Sequence, residues 1–103
     1  MMEYSAGSIQ DFPDPGARVV VAGRREIAVF RVEGRLYALD NHCAHLGGPL
    51  AEGLIEGGCV VCPWHEWCYR LTDGFRVGPG RLGVATYRVW EADGDVWVGV
   101  PRP

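Results

Sequence analysis

The sequence predicts an all-β protein, and three observations carry that expectation. Glycine (15) and proline (7) interrupt the 103 residues so often that the longest window free of both runs from Arg35 to Leu46. A typical helix needs about 11–12 uninterrupted residues, so long helices are nearly excluded. Apolar residues recur with the period of two that a half-buried strand requires. Two dipeptides, Glu33-Gly34 and Asp93-Gly94, stand between such runs and have the residue types of two-residue hairpin turns.

In chain order, the first ten residues or so read as a short strand. A proline-rich loop follows, ending in Asp11-Phe12-Pro13-Asp14-Pro15-Gly16. Arg18 to Ala22 are β-branched and apolar, which suits a strand. Gly23-Arg24 turns the chain into a strand from Glu26 to Val32, with Ala28, Phe30 and Val32 on one face and Ile27 and Val29 on the other. Beyond Glu33-Gly34 the chain returns through Arg35–Asp40. Near the end, Val84–Glu91 and Asp95–Val100 flank Asp93-Gly94, and Val96, Val98 and Val100 alternate inward. Between these outer hairpins lies an insert, about residues 41–80, where Gly58–Cys62 and Glu66–Leu71 should pair antiparallel. The first strand and both terminal strands should lie together in the base.

No repeat, low-complexity tract or linker divides the chain, so residues 1–103 read as one domain. Hydrophobic content of 48% with charged content of 22% is that of a soluble globular protein. The net charge of −3 argues against nucleic acid, whose binders carry a basic stripe. A mildly acidic protein suits a partner with a basic docking patch, although so small a charge decides little. No apolar run approaches the roughly 18–20 residues that cross a bilayer. The start, Met1-Met2-Glu3-Tyr4-Ser5, lacks the basic and apolar regions of a signal peptide, so the expected location is cytoplasmic. Four cysteines could form two disulfides, but that reading needs an export signal.

The chemistry concentrates in Cys43-Ala44-His45-Leu46-Gly47-Gly48 and Cys62-Pro63-Trp64-His65, with sixteen residues between His45 and Cys62. Each half offers one soft, electron-donating thiolate and one neutral imidazole. Two short loops can therefore hold one iron through Cys43 and Cys62 and a second through His45 and His65, which describes a mixed-ligand [2Fe-2S] centre. A structural zinc is the alternative use of the same residues, although zinc sites normally pair C-x-x-C knuckles. Gly47 and Gly48 let the backbone turn sharply beside a cluster, and Pro63 fixes one dihedral of the second loop.

The doublet C-x-H followed by C-x-x-H resembles the Rieske pattern. The likeness extends through Leu46-Gly47-Gly48-Pro49-Leu50, Trp67, Tyr69, the Thr72-Asp73-Gly74 turn and Gly78-Pro79. The length and hairpin flanks are similar to those of a free-standing Rieske-type ferredoxin. The resemblance implies an antiparallel base sheet and a cluster-binding subdomain with the metal at its tip, with Gly78-Pro79-Gly80 as a third, covering loop. It also implies that exposed imidazole edges pass the electron, with Leu46 and Trp64 as an apolar collar. High-potential members carry an extra Cys in each ligand loop and a Ser two residues after the second His. Gly48, Trp64 and Trp67 stand at those places here, while Tyr69 keeps their Tyr. Two missing devices against one survivor predict a low-potential carrier. Oxidised, it should shed imidazole protons at alkaline pH, and its potential should then fall.

Other residues read more plainly. Cys59 should be a small buried strand residue, Cys68 should point away from the aromatic face, and neither is a ligand. A disulfide between them is conceivable across one hairpin but unexpected in a reducing cytoplasm. His42 reads as a solvated loop residue, and Trp90 and Trp97 as packing on base strands. Glu66 occupies a place where the family usually has Gly.

No general acid–base pair, nucleophile or open metal position stands out, so the chain is expected to carry electrons and not to catalyse. The resemblance implies a monomeric, soluble one-electron carrier that docks transiently, taking electrons from a flavin-containing NAD(P)H reductase. Its acceptor would be a terminal oxygenase of the aromatic-ring-hydroxylating dioxygenase type. The Rieske-like small subunit of NADH-dependent nitrite reductase is the alternative, and a zinc-stapled binding module a distant one.

Overall fold

A computed structural model describes residues 1–44, 47–64 and 66–102; His45, Leu46, His65 and Pro103 lie outside the described residues. Among the described residues nine strands run in chain order: β1 (Met2–Ser8), β2 (Gly16–Ala22), β3 (Arg25–Val32), β4 (Arg35–Asp40), β5 (Leu54–Glu56), β6 (Cys59–Val61), β7 (Cys68–Arg70), β8 (Arg88–Ala92) and β9 (Asp95–Val100). They form three antiparallel three-stranded sheets, ordered β1-β9-β8, β2-β3-β4 and β5-β6-β7.

Local chemistry fixes the hairpins. Glu33 and Gly34 both take positive φ (51° and 78°), as do Asp93 and Gly94 (53° and 83°), which is the backbone of a type I′ turn. The carboxylate of Asp14 accepts both Glu33 N–H and Gly34 N–H at 2.8 Å, tying the proline-rich loop to the first turn.

β3 is the hub because both of its faces are buried. Ile27 and Val29 join Phe12, Val20, Ala22, Ala38 and the inward Val96, Val98 and Val100 in the base core. Ala28 and Phe30 point the other way, into a second core with Leu39, Leu50, Val60, Tyr69 and Leu71. Each fully buried Val, Leu or Phe contributes about 1.5–3 kcal/mol, so this second core fastens the insert to the base. Trp90 and Trp97 face each other across β8 and β9, half-buried, as packing residues.

Two expectations need correction. The base is two sheets, not one. They meet where Leu39 bridges Thr86 and where Asp40 N–H and Tyr87 N–H donate to Ala85 O and Ala38 O. The last-but-one strand starts at Arg88, not Val84. Residues 83–87 keep an apolar pattern, but their hydrogen bonds change partner, from Gly74 O for Val84 to Ala38 O for Tyr87. No helix among the described residues is long and apolar enough to cross a membrane.

Candidate metal centre

Two loops at the end of the insert carry the motif cysteines, and their backbones close in the same way. Cys43 N–H donates to Gly48 O (2.8 Å), and Gly47 N–H donates to Cys43 O (2.9 Å). In the second loop Cys62 N–H donates to Trp67 O (2.7 Å), and Glu66 N–H donates to Cys62 O (3.0 Å). Each cysteine thus heads a turn closed by the fourth and fifth residues after it. The fourth residue needs a left-handed backbone, and it has one in both loops, at Gly47 (φ 72°) and Glu66 (φ 61°). This explains why Gly is the usual residue where Glu66 stands: a side chain in that conformation costs about 1–2 kcal/mol. Glu66 is exposed.

Both thiols are buried, Cys43 at 4% and Cys62 at 0% relative exposure. Tyr69 is buried too, and its hydroxyl lies 2.8 Å from Cys43 Sγ. Burial and that hydrogen bond push the Tyr69 pKa above its ordinary value, so the hydroxyl stays a donor well past neutral pH. Gly48 sits where a side chain cannot: an added Cβ would be 2.8 Å from Cys62 Sγ and about 3.1 Å from the Trp64 ring. The two places where high-potential members carry their extra Cys are therefore in contact here. The Trp64 ring, itself 61% exposed, packs on Gly48 in place of a covalent bond.

Asn41 positions the first loop. It is buried, its Oδ1 accepts Ala51 N–H at 2.8 Å, and its carbonyl accepts Leu50 N–H at 2.7 Å. Arg76 positions the second. Its guanidinium lies 3.9 Å over the Trp67 ring, and its Nη1 is 3.5 Å from Pro79 O, linking the second loop to the 78–80 segment. Neither residue was singled out by sequence reasoning, and no local pattern marks them.

The remaining motif residues sort as follows. His45, Leu46 and His65 lie outside the described residues, so the structure speaks for the two thiols of the set. His42 is exposed, with its Nε2 3.6 Å from Glu26. Cys68 points away from Tyr69, as the alternation predicts, but Cys59 is half-buried and not fully buried. Strand register puts Cys59 and Cys68 on one outer face of β6 and β7. Burial, then a hydrogen bond with Cys59, pushes the Cys68 thiol up to about 11. Both are free thiols.

A model of the Rieske [2Fe-2S] domain family matches residues 2–88. The chain belongs to that family. Its cofactor is accordingly a [2Fe-2S] cluster, which replaces the zinc alternative. Two buried thiols, a hydroxyl donor on one and a glycine-sized clearance at the other fit such a group. The chain is 36% identical over 98 residues to the anthranilate 1,2-dioxygenase ferredoxin subunit of Burkholderia cepacia, covering 94% of this chain and 91% of that one. It also matches longer oxygenase components from Rhodococcus rhodochrous and spans 26% of their length. Among solved structures, a chain in the complex of reduced oxygenase and oxidised ferredoxin of carbazole 1,9a-dioxygenase superposes with a TM-score of 0.85 at 26% identity. That match covers 93% of this Rieske chain and 91% of the other. A putative NADH-dependent nitrite reductase small subunit from Mycobacterium tuberculosis gives a TM-score of 0.92 at 18% identity, covering 99% and 97%. At that identity the likeness is one of fold.

Proposed function

We propose that the chain is a cytoplasmic, monomeric one-electron carrier whose [2Fe-2S] cluster is held by Cys43 and Cys62 on one iron and His45 and His65 on the other. The observation that carries this reading is the pair of buried thiols heading two identically closed loops, one of them bonded by Tyr69. When bound, the cluster supplies one-electron redox chemistry, in a range of about −150 to +300 mV set by the two imidazoles.

The chain's own residues set its place in that range. Tyr69 donates to Cys43 Sγ and favours the reduced form. The exposed carboxylate of Glu66 disfavours it, and Trp67 offers no hydroxyl where high-potential members have a Ser. The balance is a low-potential carrier. Residues 1–103 act as one domain, with 41–80 as the cluster-bearing part. Its donor would be a flavin-containing NAD(P)H reductase and its acceptor a terminal oxygenase of the ring-hydroxylating kind. The likeness to a dioxygenase ferredoxin subunit supports the carrier reading.

Anaerobic reconstitution tests the reading. We expect one [2Fe-2S] cluster per chain, a rhombic EPR signal on reduction, a midpoint below 0 mV and turnover-dependent reduction by a flavoprotein reductase. A colourless, iron-free product refutes it. Stable co-purification with one large enzyme would instead mark a permanent subunit.

A further inference from the structure

We propose that the groove lined by Arg70, Phe75, Arg76, Gly78, Gly80 and Arg81 seats carboxylate side chains of the oxygenase, so that this acidic protein docks through a locally basic face. The inference rests on the carrier reading above and adds the chemistry of the partner surface to it.

The whole chain carries −3, yet its charge is segregated. Residues 70–81 contain Arg70, Arg76 and Arg81 against Asp73 alone, a local net of +2. Strand pairing brings residues 75–77 of this segment beside the strand that follows the second ligand loop. Arg70 N–H donates to Phe75 O, Val77 N–H donates to Cys68 O, and Tyr69 bridges Arg76. Residues 75–77 thus extend the β5-β6-β7 sheet beside β7, the strand that follows the second loop.

Two of the groove's guanidinium groups are available to a ligand. Arg70 is already paired, 2.9 Å from Asp73. Arg76 is held flat on Trp67 and has no carboxylate partner among the described residues, nor has the exposed Arg81. A planar guanidinium presents a fork of donors that matches a carboxylate, and stacking on an aromatic ring fixes its direction beforehand. The groove is about 350 Å³, room for one or two acidic side chains. Around it Phe75, Val77 and Leu82 are 44%, 49% and 49% exposed, the apolar contact that a small redox interface needs. Nucleic acid would need more positive charge than a chain of net −3 presents. The opposing charges are Glu66 in the second ligand loop and Glu52 after the first, both exposed.

Charged outer-sphere oxidants read the local field. The reduced holoprotein gives one electron to hexacyanoferrate(III), which becomes hexacyanoferrate(II), with no proton moved. Tris(phenanthroline)cobalt(III) takes one electron in the same way from the opposite charge. We expect the anionic oxidant to react faster at low salt and to slow at least threefold at about 0.3 M salt, where screening is strong. Arg81→Gln should lower that low-salt rate at least threefold and should not lower the cobalt rate. Glu66→Gln should raise the hexacyanoferrate rate. A hexaglutamate peptide should compete with hexacyanoferrate better than inorganic phosphate at equal charge. A hexacyanoferrate rate that rises with salt, an Arg81→Gln rate equal to wild type, or equal competition by phosphate overturns the proposal. Calorimetric titration with redox-inert hexacyanocobaltate(III) reads the groove with or without the chromophore. Failure of the groove and failure of the carrier reading are therefore separate results.

Discussion

Replacing Tyr69 by Phe removes one oxygen and leaves the ring in place, which makes it the cleanest probe of the site. The hydroxyl sits 2.8 Å from Cys43 Sγ, in a core where neither residue meets solvent to any extent. With Cys43 as a thiolate ligand, only the hydroxyl can donate. A hydrogen bond to a charged acceptor contributes about 1.5–3 kcal/mol in a fold. Both oxidation states accept it, and the reduced state, with more charge on sulfur, accepts it more strongly. If a third to a half of the bond is differential, about 0.5–1.5 kcal/mol of preference for the electron is lost on substitution. At about 59 mV per 1.4 kcal/mol for one electron, the midpoint of Tyr69→Phe falls by about 20–65 mV. Protein-film voltammetry at neutral pH measures this directly. The visible spectrum should stay that of an intact cluster, since no ligand is touched. A midpoint within about 10 mV of wild type, with the spectrum intact, would refute the account of Tyr69 as an electron-favouring donor.

Cys43→Ser or Cys62→Ser should abolish the visible spectrum, whereas the double change Cys59→Ser/Cys68→Ser should leave it unaltered; absorption of the reconstituted chains distinguishes the two outcomes. Glu66→Gly should relieve the left-handed strain and raise denaturant stability by about 1 kcal/mol, and it should also raise the midpoint by removing a negative charge. Asn41→Ala leaves the Ala51 N–H without its acceptor in a buried site, so thermal or denaturant unfolding should show a loss of about 1–3 kcal/mol. Cys68 keeps its proton longer folded, to about pH 11, than unfolded, near its ordinary value of 9.0. Its contribution to stability is therefore complete below pH 9 and declines as pH rises toward 11, a slope that denaturant titrations at alkaline pH should lose in Cys68→Ser.

Period and turn chemistry made the base hairpins legible. Val96, Val98 and Val100 alternate cleanly, and Asp93-Gly94 has the residue types for two positive φ angles. β5 escaped notice because Leu54–Glu56 is too short to display a period. The segment 84–87 was misread for the opposite reason, because it keeps an apolar pattern while its hydrogen bonds pass between sheets. The C-x-H and C-x-x-H doublet stood out as a motif, and the structure places its two cysteines, Cys43 and Cys62, in one buried cluster. Asn41 and Arg76 did not stand out, since each acts on residues brought near only by the register of the folded chain. Glu66 lies between these cases. Its departure from Gly was visible in the sequence, and the reason Gly is usual there needed the φ of 61°.

The two cores divide the consequences of metal loss. The base core takes Ile27 and Val29 from one face of β3, while Cys43, Cys62 and Tyr69 pack with Ala28 and Phe30 on the other. Among the described residues none belongs to both. No covalent bond joins the ligand loops at the places where high-potential members have one, since Gly48 and Trp64 stand there. Among the described residues the loops are closed by backbone hydrogen bonds, by the Trp64 ring against Gly48 and by the contacts of Asn41 and Arg76. Ligand binding should add to the order of these loops. The base, whose β1-β9-β8 and β2-β3-β4 sheets enclose their own buried valines and isoleucine, has no such dependence. A chain that loses its cofactor should therefore keep the base sheets and lose order in the two loops, which hydrogen exchange on apo and reconstituted chains would read.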